Sequence, residues 1–189
     1  MEQTDPRALL VNIARIFERL KLPYLVTGGM AVLVWGRPRF TADIDIVIEL
    51  KPSDVGGLIE ALKSLGESGY VDKDVAEEVV RRGGEFNFID GVTGVKVDFW
   101  AFDKGDFDLS RLGRRVAKEI LGQKIYFTSP EDLILSKLKW YKESRSNRHL
   151  EDAESVLKIS GAELDMKYLN KWAEKIGVTD GYKKLLLIL

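Results

Sequence analysis

Residues 43–50, Asp-Ile-Asp-Ile-Val-Ile-Glu-Leu, constrain the fold more than any other stretch of the chain. Charged and apolar side chains alternate at first, and the run then becomes apolar, the pattern of a strand with one end exposed. On such a strand Asp43 and Asp45 leave the same face, and Ile44 and Ile46 enter the opposite, buried face. Two carboxylates held side by side repel unless protons or cations neutralise them. A divalent cation with oxygen ligands is an economical partner. The competing reading is a solvated strand end, because Asp-x-Asp is common by chance.

The composition narrows the chemistry further. The chain has no cysteine, which removes disulfides, zinc–cysteine sites and thiol nucleophiles together. His149 is its only histidine, so any metal must sit among carboxylates, which suit magnesium, manganese or calcium. A net charge of −1 argues against whole-surface affinity for nucleic acid and leaves a local basic patch open. No apolar run reaches the roughly 18 residues of a membrane span, and the first residues lack a signal-peptide pattern. A cytoplasmic protein without a membrane partner is the expectation.

Leu9, Leu10, Ile13, Ile16, Phe17 and Leu20 recur at helical spacing and predict an amphipathic helix over 6–21, stopped by Pro23. Tyr24-Leu25-Val26 reads as a short strand running into Thr27-Gly28-Gly29, and Met30–Trp35 as a buried helix. Pro52-Ser53-Asp54 opens a helix of about 12 residues ending near Gly66, and 72–82 is a short helix. Residues 85–89 and 95–102 predict two strands joined by the hairpin signal Asp90–Gly94. A further pair is expected at 115–121 and 124–127, turning at Gly122-Gln123. Beyond Ser129-Pro130 only helices follow, at 130–143, 147–159, 165–176 and 180–188, with Gly161 and Gly177 as stops. These elements imply an α+β fold: a sheet flanked by helices over 1–128, with a C-terminal helical segment over 129–189 packed on that core as one domain.

Two other elements carry chemistry. Glycines between a strand and a helix let the backbone approach a ligand closely, and the helix start offers free N–H groups to an anion. Their bland alternative is an ordinary tight turn. Asp98, within Val95-Lys96-Val97-Asp98-Phe99-Trp100, shares a face with Lys96 and Trp100 by parity. An Asp in an apolar strand wants a reason, and edge-strand solubility is the bland one. No P-loop, Rossmann glycine fingerprint or Gly-x-Ser-x-Gly is present.

Each signal is weak alone, but their order is specific: Gly-Gly after a strand, 13 residues, an acidic pair on a strand, then a third acid on a later strand. This order resembles the polymerase-beta-like nucleotidyltransferase superfamily. Trp35–Asp45 is similar to its small prokaryotic branch, the minimal nucleotidyltransferases and the abortive-infection nucleotidyltransferase toxins. Ser129–Ile134, Lys137-Leu138 and Arg148–Asp152 are similar to the helical segment after the catalytic core in that branch.

The resemblance implies a nucleotidyltransferase-type mixed β-sheet. It implies transfer of an NMP group from an NTP to a hydroxyl, with release of pyrophosphate. Asp43, Asp45 and Asp98 would hold two magnesium (or manganese) ions, and Asp98 would take the acceptor's proton. Gly28 and Gly29 would hold the phosphates with Thr27 assisting, and Arg37, Arg39 and Lys137 would neutralise phosphate charge. The basic run Lys137, Lys139, Lys142, Arg145 and Arg148, interleaved with Trp140 and Tyr141, suits a nucleic acid end or else a solvated helix with an aromatic core face. The acceptor is open among a protein hydroxyl, a transfer RNA 3′ end and a small molecule, and an antitoxin chain is an implied partner. The roles of His149 and Asp152 are open, Asp152 pairing with one of the basic residues or holding Lys137. The rival is a catalytically silent binding or regulatory protein of the same fold, against which three carboxylates argue.

Overall fold

A computed structural model describes residues 5–187. Helix α1 (Pro6–Leu20) starts where the Asp5 carboxylate accepts the Arg7 N–H at 2.9 Å, and it ends at Lys21 in a left-handed conformation (φ 55°). The chain then forms β1 (Tyr24–Thr27), α2 (Gly28–Trp35), β2 (Asp43–Ile48), α3 (Pro52–Lys63), β3 (Tyr70–Val71), α4 (Lys73–Arg82), β4 (Glu85–Ile89) and β5 (Lys96–Ala101). After α5 (Asp106–Gly113) come the hairpin β6 (Val116–Ile120) and β7 (Gln123–Phe127). The remainder is helical: α6 (Pro130–Ser144), α7 (Asn147–Ser160), a 3-10 turn (Gly161–Glu163), α8 (Met166–Lys175) and α9 (Thr179–Leu186). Residue 188 of the expected last helix lies outside the described residues.

The strands form one mixed sheet in the order β3-β4-β5-β2-β1-β7-β6. β2 runs parallel to β5 and antiparallel to β1, while β1 runs parallel to β7. One face is the core. Ile44, Ile46 and Ile48 of β2 and Val97 and Phe99 of β5 are fully buried there, and Phe17 of α1 meets Phe99 edge-on at 6.1 Å. Truncating such an aromatic costs about 3–5 kcal/mol. The other face turns Asp45, Asp98 and Trp100 toward the C-terminal helices, and Trp100 meets Trp140 of α6 at 6.4 Å. The helices are tied to the β1–α2 unit through Trp35, whose indole N–H donates to the Thr128 carbonyl at 2.9 Å and whose carbonyl accepts from Ser160 Oγ at 2.8 Å.

Four features depart from the sequence expectation. Helix α5 interrupts the expected run of strands. Its anchor is a buried Asp108, which pairs with Arg111 at 2.7 Å and accepts the Asp103 N–H at 2.9 Å, so the segment shows no apolar stripe. β3 has two residues, too few for alternation to register. β5 lies between β4 and β2, so edge solubility does not explain Asp98. Gly177 follows α8 at φ 69°, whereas Gly161 keeps right-handed helical backbone and passes the chain into the 3-10 turn.

Candidate active site

The site begins at the turn from β1 into α2. Gly28 sits at φ 59°, where L side chains are strained. A Cβ on Gly28 would lie 1.8 Å from Asp45 Oδ2, and one on Gly29 would lie 2.2 Å from Thr41 Oγ1. Both glycines are therefore required by the approach of β2 and its preceding loop to the start of α2. Thr27, fully buried, faces Asp45 in the β1–β2 register, and its hydroxyl has no hydrogen-bond partner.

The parallel pairing of β2 with β5 sets Asp45 opposite Asp98 and Asp43 opposite Lys96. Asp98 is 8% exposed, and the Lys96 ammonium lies 2.8 Å from its Oδ2. Burial pushes the Asp45 carboxyl above its ordinary pKa, with the Asp98 charge adding to that effect and Lys137 opposing it. Among the described residues, no three acidic or histidine side chains are gathered closely enough to enclose an ion as they stand. The donors still suit magnesium or manganese. They are all oxygen, Asp45 and Asp98 stand opposite each other in the β2–β5 register, and the Gly28 turn holds Asp45 where a side chain would displace it.

Helices α6 and α7 complete the site. Lys137 and Asp152 are each 3% exposed. Asp152 accepts from Lys137 Nζ at 2.8 Å and from Arg39 Nε and Nη2 at 2.7 Å each, so it holds both cations at once. Burial works against the charged form of Asp152, but the Arg39 and Lys137 hydrogen bonds outweigh it and hold the carboxyl below its usual range. Burial also lowers the Lys137 pKa, with Asp152 opposing.

A cleft of about 450 Å³ opens over this face, lined by Gly29, Asp43, Asp45, Lys137, Trp140 and His149 among others. Arg39 and Asp152 also line it, while Thr27, Gly28 and Asp98 do not. Arg37 does not join the site either. It is exposed, and its backbone N–H donates to Ser155 Oγ at 3.3 Å. The basic run does not form one patch: Lys137 is buried, Lys142 donates to the Gly177 carbonyl at 3.0 Å, and Arg148 donates to the Phe40 carbonyl at 3.3 Å. Trp100 and Trp140 are cleft residues that sequence reasoning did not single out for the nucleotide; their signal was an aromatic residue at the parity of Asp98 and at helical spacing from Lys137.

Residues 8–181 match the family described as "Nucleotidyl transferase AbiEii toxin, Type IV TA system". The chain belongs to the AbiEii nucleotidyltransferase toxin family. Among solved structures, this AbiEii-family chain is similar to ANT(2″)-Ia in complex with adenylyl-2″-tobramycin, with a TM-score of 0.60, 18% identity, and coverage of 96% of this chain and 99% of that one. It is also similar to the lincosamide antibiotic adenylyltransferase LnuA with lincomycin bound (TM-score 0.54, 16% identity, 82% and 98% covered). A third likeness is to a Thermotoga maritima protein described as a nucleotidyltransferase (TM-score 0.52, 17% identity, 75% and 88% covered). At these identities the likeness establishes the fold, a nucleotidyltransferase-type mixed sheet flanked by helices. No curated protein sequence matches the chain.

Proposed function

We propose that this AbiEii-family chain moves an NMP group from an NTP to a hydroxyl acceptor and releases pyrophosphate. The observation that carries the reading is the register of β2 and β5, which sets Asp45 against Asp98 on the cleft face, directly beneath the Gly28 turn. Asp43, Asp45 and Asp98 are the residues that would hold magnesium or manganese. Two such ions, when bound, stabilise the entering and leaving oxygens of a phosphoryl displacement.

The protein's own groups do the rest. The Gly28–Gly29 turn, of which Gly29 lines the cleft, would hold the β- and γ-phosphates, with Thr27 beneath it. Lys137 and Arg39 face those phosphates as cations prefixed by Asp152, which spares the ordering of two long side chains on binding. The acceptor oxygen forms a bond to the α-phosphorus, the bond to the bridging oxygen breaks, pyrophosphate leaves, and the hydroxyl proton passes to Asp98. The cleft draws residues from both the core over 1–128 and the helical segment over 129–189, so the two act as one unit.

The acceptor is a hydroxyl of a small molecule, a protein or a transfer RNA end. The antibiotics in the ANT(2″)-Ia and LnuA structures favour the first, and the family description brings an antitoxin chain as partner. No helix among the described residues is long and apolar enough to cross a membrane, and a cytoplasmic setting suits an NTP substrate.

The test is incubation with each α-labelled NTP, magnesium and cell extract. Label should move to one acceptor with release of pyrophosphate, and Asp45→Asn should abolish it. No transfer, together with a melting temperature indifferent to NTP and magnesium, would instead identify a catalytically silent binding protein.

A further inference from the structure

A second hollow, of about 330 Å³, lies beside the C-terminal end of α1, where β1 begins and β7 passes. It shares no lining residue with the catalytic cleft. Tyr24 opens β1 and Thr27 closes it at the catalytic turn, so the two lie about 10 Å apart along the strand and face opposite sides of the sheet. Phe17, Leu22, Tyr24 and Tyr126 give the hollow apolar walls. Its size and lining suit a small organic molecule.

The charges around it do not balance. Lys21, Arg115 and Lys124 line it against a single acid, Glu18. None of these three cations forms an ion pair among the described residues. Glu18 is engaged elsewhere, its Oε2 accepting from Gln123 Nε2 at 3.2 Å. Arg115 and Lys124 both stand near the Tyr126 ring, 4.8 and 5.9 Å from its centroid. A ring face positions a cation without neutralising it. The last carbonyls of α1 do not oppose an anion strongly, because the Lys21 and Leu22 N–H groups cap those of Glu18 and Phe17 at 3.2 and 2.9 Å.

The wall also carries a hydroxyl with a proton to give. The Tyr24 oxygen accepts the Tyr126 N–H at 3.4 Å, and its own proton has no acceptor among the described residues. Burial, the largest influence, pushes the Tyr24 pKa up to about 12, so the group stays a donor at neutral pH.

We infer that this hollow is a binding site for a small organic anion. An apolar ring sits against Phe17, Leu22 and the two tyrosines, and a carboxylate or phosphate meets Lys21, Arg115 and Lys124. The site stands independently of the nucleotidyl-transfer reading. The three cations border one hollow rather than a groove along the surface, which favours a compact anion over a nucleic acid backbone.

The experiment is calorimetric titration of the full chain with naphthoate, naphthyl phosphate, the neutral naphthalenemethanol and inorganic phosphate. It is repeated on Lys124→Glu and Arg115→Gln, with the melting temperature of each protein. Lys124 is exposed, so its variant should fold, and Arg115→Gln supplies a second reading if it does not. At least one naphthyl anion is expected to bind about tenfold or more tightly than both the alcohol and inorganic phosphate. Whichever anion binds better identifies the head group. Each variant should weaken that binding by about tenfold. Absence of binding by both anions, equal binding of the alcohol, or affinity unchanged in both folded variants would overturn the site.

Discussion

Helix α6 meets two buried carboxylates, and the protein neutralises them in opposite ways. Asp132, in its first turn, is fully buried. Asp132 Oδ1 accepts from the Tyr168 hydroxyl at 2.6 Å and Oδ2 from the Ser129 hydroxyl at 2.8 Å, while the nearest cation, Arg114, stands 3.8 Å away. Burial dominates there and pushes the carboxyl above its ordinary pKa. Five residues on, Lys137 reaches Asp152, which also carries Arg39, and the two cations hold that carboxyl below its ordinary range.

The difference teaches what each cluster is for. Hydroxyl partners satisfy Asp132 without needing its charge, and it lines no part of the cleft. This is a structural knot joining α6 to α8. A buried ion pair, by contrast, gains little stability over an apolar pair of similar volume. The Arg39–Asp152–Lys137 cluster lines the cleft and places a cation beside Asp45, as the proposed phosphate site requires.

Several substitutions would break or sharpen this contrast. The largest effect belongs to Asp45→Asn, which should lower transfer by about a thousandfold, or ~4 kcal/mol. Its melting temperature should hold or rise, because the charge removed is poorly solvated and faces Asp98. Asp152→Ala strands Lys137 in the interior and should cost about 3–5 kcal/mol in denaturant unfolding. Adding Lys137→Met should recover most of that stability without restoring transfer, and recovery of both would return the cluster to a structural role.

Tyr168→Phe removes one hydrogen bond from Asp132 and should cost about 1–2 kcal/mol, with transfer per folded molecule unchanged. The smallest effect is in the pH dependence of stability, where the two carboxylates carry opposite signs. Asp152, with its folded pKa lowered, contributes stability above the unfolded value of about 3.9, and this is lost as pH falls through the folded pKa. Asp132, with its folded pKa raised, contributes below that value and loses the contribution as pH rises through the folded pKa. The stability gap between wild type and Asp152→Asn should therefore shrink on acidification, and the gap to Asp132→Asn should shrink as pH rises.

Much of the scaffold was legible because its elements announce themselves locally. The alternation of Asp43–Ile46 gave the exposed and buried faces of β2, and Asp90–Gly94 gave the β4–β5 hairpin. Helix α5 was hidden because a buried Asp108 replaces an apolar stripe. At the site, residue types were readable and partnerships were not. Asp152 holding Lys137 was one of two open readings and is the contact the structure shows, but Arg39 and Asp152 meet across 113 residues of chain, and nothing local specifies that Asp152 would take both cations. Likewise, Gly28-Gly29 read as a turn open to a ligand, but the space a Cβ on Gly28 would fill is taken by an oxygen of Asp45. That contact depends on the β1–β2 register, a property of the assembled sheet.

The central claim is that Asp45 and Asp98 form a cation-dependent nucleotide site under the Gly28 turn. Calorimetric titration of NTP into wild type, Asp45→Asn and Asp98→Asn, each with magnesium and with a chelator, tests it most directly. The wild type should bind NTP with magnesium and lose at least about tenfold in affinity with chelator, while both variants should bind equally weakly in the two conditions. Wild-type binding that is indifferent to magnesium and unchanged by Asp45→Asn would contradict it.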